Sequence, residues 1–393
     1  MFIVKFFKAV LRTVVFLAVL AFLAVAVGTI WHEIPYLGSI AGYLSVPYWH
    51  WFIITLFALT LLLLIIVGAK RKKKGFWRLA ALMCAAAFCL HAYGYFTAVS
   101  ALNKAGAEIS LFSGFSTRDV SGVKIKEAVY TKGEEGDLYL DLYYTEGEES
   151  AKKPVYIYIH GGGWAAGDRK GHSYYSKVFA KNGYLAVSID YDLSDGEHHY
   201  WNKTEDELCR ALVWLSKNAE KYGADMNNVF VTGDSAGGHL TLELANKING
   251  GVYRVCEGTE LPKIRAISVS YPVASPADFY LNTDEFLERF TKPMVEYYTG
   301  TDPIESPALI NTIEPVNYIT AGTPPTMIFA GEADSTVVPD FTYTYASMLE
   351  KKGVETLLVK VPFANHAFDN VDGNFASEAY INLTMKWFDS HMK

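Results

Sequence analysis

Four cysteines in 393 residues are too few to build a disulfide framework. Cys84 and Cys89 fall inside an apolar run, and Cys209 sits among core-type residues of an expected helix, where a small buried thiol is the ordinary state. Pairing of Cys209 with Cys256 stays open. Acidic residues are almost missing from the first 108 positions, which hold two, Glu33 and Glu108, against ten Lys and Arg. Of 35 basic and 42 acidic residues in all, 25 basic and 40 acidic ones therefore lie beyond that point. So acidic a remainder argues against nucleic acid or anionic lipid headgroups as its main partner. No internal repeat is present.

Against these absences stand 51% hydrophobic residues and a positive mean hydropathy, high for a wholly soluble protein. Residues 1–103 read as a membrane region with three transmembrane helices at about 13–30, 48–69 and 76–102. They lack paired intramembrane charges, so nothing supports a transporter. His91, in the third, has no acidic or Cys partner in the run and reads as a packed residue. Lys5, Lys8 and Arg12 precede the first span, and Lys70 to Lys74 with Arg78 join the second to the third. The loop from Trp31 to Pro47 has no Lys or Arg. By the positive-inside rule the N-terminus is cytoplasmic, and everything after the third span lies outside. Ala24-Val25-Ala26 also resembles a signal-peptide cleavage site, an alternative that leaves the C-terminal part on the same side.

After a linker at 104–124, strand and helix patterns alternate over 125–393, as expected of an α/β domain. Glu127 to Thr131 pairs in a meander with the alternating run Leu138 to Tyr143. Further strands are expected at 155–159, 185–189, 229–232, 266–269, 326–330 and 357–361, making a mostly parallel sheet of roughly eight strands. Helices are expected at 174–182, closed by Gly183, and from about Phe375. Thr204-Glu205-Asp206-Glu207 reads as a capping box, with Thr204 at the N-cap of a helix that Gly223 ends. The stretch 275–320 is long, polar and Pro-punctuated, with aromatics at Phe279, Tyr280, Phe286, Phe290, Tyr297 and Tyr298. It reads as a lid-like insertion, or else as two ordinary surface helices.

The chemistry centres on Gly233-Asp234-Ser235-Ala236-Gly237-Gly238, between an apolar strand and a helical run. G-x-S-x-G at a strand-to-helix turn lifts the central hydroxyl above the sheet, which makes Ser235 the candidate nucleophile. A serine hydroxyl needs a base and a group to orient that base. Asp334 follows the strand at 326–330 and His366 the strand at 357–361, at the sheet edge where such folds place their sites. Glu332 competes for the acid. His172, His198, His199, His239 and His391 are less well placed for the base, and His239 reads as a packed helix residue. Gly161-Gly162-Gly163 follows a strand too. Backbone N–H groups of Gly162, Gly163 and Ala236 form the candidate oxyanion hole. His160 is expected to brace that loop and Trp164 to wall the pocket. No Lys-Ser or Lys-Thr follows the triplet, which argues against a P-loop.

Together His160-Gly161-Gly162-Gly163, Gly233 to Gly238, the late Asp and His366-Ala367-Phe368 resemble the hormone-sensitive-lipase-like branch of the α/β-hydrolases, esterases and lipases, over about residues 125–393. The resemblance implies carboxylic-ester hydrolysis through an acyl-enzyme on Ser235. It implies that His366 serves first as base and then as acid, that Asp334 holds the imidazole, and that no metal or organic cofactor is needed. Asp334 is followed by Ser335-Thr336-Val337-Val338-Pro339, closer to feruloyl- and acetyl-esterase-like or peptidase-like relatives, and the membrane spans stand where soluble members carry an N-terminal cap. The expected partners are a small-molecule, glycan or lipid ester and the bilayer. The rivals are a serine peptidase of the same fold and a hydrolase-shaped binding module without catalysis.

Overall fold

The apolar runs at the start of the chain fold as α1 (Phe2–Ile30), α2 (Leu37–Ser45), α3 (Trp49–Ala69) and α4 (Gly75–Lys104) in a computed structural model that describes residues 2–69, 74–146, 152–282 and 287–393. Lys70 to Lys73 and Phe286, which entered the reading above, lie outside the described residues. The chain divides into two compact units. One comprises Met1–Ser116 with Gly331–Ala333 and Val361–Glu378; the other comprises Thr117–Ala330 with Asp334–Lys360 and Ala379–Lys393.

Among the described residues, three segments of the first unit are long and apolar enough to cross a membrane: Ile3–Ile30, Leu37–Ala69 and Gly75–Lys104. Only 11% of the apolar window is buried within the protein in each of the first two, against 39% in the third, so α4 is the helix the others pack on. Its Ala80, Ala81, Cys84 and Ala87 are small enough to let α1 and α3 close on it through Val19, Ala26, Leu56 and Leu63. His91 is wholly buried with its ring 5.0 Å from Phe52, the packing expected of it. One departure concerns 31–47, expected to be loop. Its middle is helical because small residues dock it on α1: a side chain at Gly28 would meet the Leu37 carbonyl at 2.7 Å, and the Thr29 hydroxyl lies 2.7 Å from that of Ser45.

The second unit is built on strands β1 (Val123–Lys132), β2 (Asp137–Thr145), β3 (Lys153–Ile159), β4 (Leu185–Ile189) and β5 (Ala224–Asp234), followed by β8 (Ile264–Ser270), β9 (Thr326–Gly331) and β10 (Thr356–Val361). They form one eight-stranded sheet of order β1-β2-β4-β3-β5-β8-β9-β10. The β1–β2 and β2–β4 pairs are antiparallel, whereas β4–β3, β3–β5, β5–β8 and β8–β9 are parallel. Parallel strands are covered on both faces, and the sequence shows it: Val155, Ile157 and Ile159 of β3 join an aliphatic core with Val187, Val229, Val231 and Ile267, while Tyr156 points the other way. There Tyr156 stacks on Phe179 at 4.0 Å and Phe230 on Phe388 at 4.6 Å.

The crossovers are α5 (Ser173–Lys181), α6 (Thr204–Tyr222), α7 (Ser235–Asn249), α11 (Pro339–Lys351) and α12 (Phe375–Ser390). The short strands β6 (Val255–Cys256) and β7 (Thr259–Glu260) make a separate hairpin that the pattern did not announce. The expected insertion folds as α8 (Pro276–Tyr280), α9 (Glu288–Thr299) and α10 (Pro307–Ile313). The capping box is not formed. Thr204 is already helical and its hydroxyl donates to the Tyr200 carbonyl at 2.9 Å, while Glu207 accepts the Asp192 N–H at 3.0 Å, a tertiary partner that outcompetes the local one. Cys84, Cys89, Cys209 and Cys256 are all free thiols, which closes the question of Cys209 and Cys256.

Candidate active site

β5 ends at Asp234, and Ser235 opens α7 with φ +52°, a left-handed backbone that a serine adopts only when its surroundings impose it. The surroundings are tight enough to do so. A Cβ at Gly233 would stand 2.3 Å from the Gly237 carbonyl oxygen, and one at Gly237 would stand 2.2 Å from that of Ile159. The glycines are thus required by close approach between strand and helix. Ala236 lies in the first turn of α7, whose amides find no acceptor within the helix.

The glycine loop leaves β3 beside this turn, since Ile159 pairs with Gly233 in register. Asp234 ties the two together: it accepts the Tyr158 hydroxyl at 2.6 Å and the Gly161 N–H at 3.2 Å instead of capping α7. Burial and that carboxylate push the Tyr158 phenol up, so it stays a donor. Gly162 has φ +119°, and the Ala166 N–H closes the turn on its carbonyl at 3.0 Å. His160 braces the loop as expected. It is buried, stacks on Tyr191 at 4.3 Å and has Nδ1 2.8 Å from the Gly161 carbonyl, and burial pulls it below the usual imidazole range. Trp164 departs from expectation: it does not line an open pocket but is fully buried, stacked on Tyr298 of α9 at 4.8 Å. What lies over the loop is Met294 of α9, whose sulfur would be 2.6 Å from a Cβ at Gly163.

Asp334 comes after β9 in the same unit as Ser235, buried, with one carboxylate oxygen accepting the N–H groups of Thr336 and Val337 at 2.9 and 2.8 Å. Its rival Glu332 is exposed. His366 follows β10 by a few residues and belongs to the first unit, with the N-terminal helices. The remaining histidines are engaged elsewhere. His172 stacks on Tyr175, His198 pairs with Asp195 at 3.2 Å, His199 meets the Tyr297 carbonyl at 2.7 Å, and His391 lies 3.3 Å from Glu355. Among the described residues, the potential metal ligands Glu135, Asp195 and His198 gather at an exposed spot, where ion pairing accounts for them.

A feature that the sequence reading missed runs down α7 from Ser235. His239, Glu243 and Lys247 recur every four residues on one buried face. Trp164 donates its indole N–H to His239 Nδ1 at 3.2 Å, so Nε2 carries the proton and donates to the Ile313 carbonyl at 2.7 Å. Burial lowers the His239 pKa to about 4, keeping the ring neutral. Lys247 lies 2.6 Å from Glu243 and 2.7 Å from Glu205 of α6. Burial and the neighbouring Glu205 push the Glu243 carboxyl well up, and the two acids share the single ammonium of Lys247. The stripe fastens α7 to the glycine loop, to α6 and to α10.

The BD-FAE family matches residues 140–349, more than half of the chain. The chain belongs to that family. The match takes in Gly162, Gly163, Ser235, Ala236 and Asp334 and ends short of His366. The chain is 26% identical over 246 residues to the esterase LipC of Mycobacterium tuberculosis, covering 61% of this chain and 59% of LipC. It is 31% identical over 221 residues to the carboxylesterase NlhH of the same species, covering 55% of this chain and 67% of NlhH. The chain thus spans about three fifths to two thirds of the length of these two relatives. Among solved structures it is similar to a Thermogutta terrifontis esterase with propionate bound, at TM-score 0.55 and 25% identity over 70% of this chain and 96% of that one. Esterase B of Lactobacillus Rhamnosis (HN001) matches at TM-score 0.59 and 22% identity over 76% of this chain and 93% of that one. The fold is that of an α/β-hydrolase, as the resemblance implied.

Proposed function

We propose that this protein is a membrane-anchored serine esterase that hydrolyses short acyl esters outside the cytoplasm. The observation that carries the reading is the strained Ser235 at the head of α7, tied through Asp234 to a glycine loop at the same sheet edge. In this reading Ser235 attacks the ester carbonyl while His366 takes its proton. The N–H groups of Gly162, Gly163 and Ala236 receive the negative charge that develops on the carbonyl oxygen. His366 then protonates the leaving alcohol, water repeats the cycle on the acyl-enzyme, and Asp334 keeps the imidazole oriented throughout. Buried Asp334 suits that last role better than exposed Glu332. Esterase and carboxylesterase names among the relatives favour ester over amide cleavage. A small acyl group is favoured by Met294 over the glycine loop, which narrows the space beside it, and by propionate in the Thermogutta enzyme.

The test is hydrolysis of p-nitrophenyl acetate, butyrate and decanoate by the intact protein in nanodiscs, alongside a dipeptide amide. We expect acetate or butyrate to be cleaved fastest and Ser235→Ala to lose about 10⁴-fold or more in kcat. Equal rates from the two proteins would sink the reading, and faster amide than ester cleavage would turn it into a peptidase.

A further inference from the structure

The segment 361–378, which carries His366, is packed as part of the N-terminal helical unit. Asn365 is buried, and its side chain works in two directions: Oδ1 accepts the His366 N–H at 2.7 Å, while Nδ2 donates to the Ser39 carbonyl of α2 at 3.1 Å. Nine residues on, buried Asn374 donates to the Pro47 carbonyl at 3.3 Å and to that of Phe368 at 2.9 Å, and its oxygen accepts the N–H groups of Ala376 and Ser377. Phe375 stacks on Trp49 of α3 at 5.6 Å and meets Tyr95 of α4 edge-on at 5.4 Å. Between these two anchors the loop holds positive φ at Phe363 and Ala367, +61° and +57°. Non-glycine residues keep such a backbone only where neighbours over-determine it. Gly42 of α2 has no side chain because Asn365 occupies that space: a Cβ there would lie 2.9 Å from the Asn365 Cβ and 3.2 Å from its Nδ2.

We infer that the N-terminal helices do more than anchor the enzyme: α2 and α3 hold the His366 loop in its working conformation, with Asn365 as the positioning residue. This rests on the reading of His366 as the general base. A side chain placed on α2, remote in sequence from every residue assigned to the chemistry, is therefore expected to slow the chemistry.

The experiment uses the intact protein in nanodiscs and compares Asn365→Ala, Gly42→Ala, Gly68→Ala, His366→Ala and wild type. Readouts are kcat and KM on p-nitrophenyl acetate, the rate of fluorophosphonate labelling of Ser235, and Tm. Gly68, in α3 with nothing within 4 Å of its added Cβ, is the control for a change in the helices alone. A displaced base costs kcat rather than binding, so Asn365→Ala and Gly42→Ala should each lose about tenfold or more in kcat and in labelling rate, with KM within about twofold. Gly68→Ala should match wild type. Should Asn365→Ala fail to fold, Gly42→Ala carries the test. Wild-type kcat in Gly42→Ala while His366→Ala is inactive would overturn the brace and leave the site reading standing. An equal loss in Gly68→Ala would overturn it as well. Full activity of His366→Ala would remove the site reading and the brace with it.

Discussion

Asp334 and Glu332 sit two residues apart after β9, and sequence alone leaves both as candidates for the acid. Burial separates them. Asp334 is enclosed, with its oxygen held by two backbone N–H groups, whereas the exposed Glu332 has nothing to fix an imidazole's tautomer against water. Asp334→Asn is expected to cost roughly 10³- to 10⁴-fold in kcat with little change in KM, as for the orienting acid of a triad. Glu332→Gln should stay within about twofold of wild type, because surface substitutions change little. Steady-state kinetics of both variants decide the matter, and a reversed ranking would move the acid to Glu332. At this scale the sequence was most readable where geometry is local. Gly233, Gly237 and the glycine triplet announce backbone crowding within a few residues of themselves. Trp164 was misread because its fate depends on Tyr298 and His239, which only the fold brings to it.

The strands announced themselves through apolar runs buried on both sheet faces, and Gly183 and Gly223 end their helices with left-handed backbones. What stayed hidden at this scale depends on partners far along the chain. Glu207 left its capping box for the Asp192 N–H, and the two-residue strands β6 and β7 are too short to show a period. The His239, Glu243, Lys247 stripe shows as a four-residue repeat, but the apolar residues around it dominate the pattern of α7, so that of the three only His239 reads as packed. Its energetics are testable. Lys247→Met leaves Glu205 and Glu243 buried without their cation, which should cost about 3–5 kcal/mol by denaturant unfolding. Protonation relieves that repulsion, so the loss should be larger at pH 8 than at pH 5. Glu314, between α10 and α8, gives a second handle. Burial raises its pKa from the ordinary 4.5 to about 7, although the Ala277 N–H and the Ser275 hydroxyl pull the other way. The folded state then binds the proton more tightly than the unfolded one, so this contribution is full below 4.5 and lost as pH rises through 7. A gap of that size is worth at most about 3 kcal/mol. Glu314→Gln should therefore raise Tm at pH 8 and leave it nearly unchanged at pH 4.5, and a uniform shift at both pH values would contradict this.

For the whole molecule, the basic residues and the His366 segment bear on the same question from opposite ends of the helical unit. Arg12 of α1 lies over the Phe76 ring at the start of α4, 5.8 Å from its centroid, so the basic N-terminal part of α1 and the start of α4 share one end. Segment 361–378 packs near the other end, on Tyr93, Tyr95, Ser39 and Trp49. Phe76 and Tyr95 are separated along α4 by about 28 Å at 1.5 Å per residue, close to the roughly 30 Å of a bilayer's hydrocarbon core. If the basic end is cytoplasmic, the orientation proposed from the positive-inside rule, the His366 loop emerges on the far side, where three spans would also deliver the chain after α4. A Cys89→Ser background carrying Lys124→Cys is then expected to react with a membrane-impermeant maleimide in intact cells, and one carrying Lys8→Cys to react only after permeabilisation. The opposite pattern would put the hydrolase unit in the cytoplasm and direct the search for its substrate to intracellular esters.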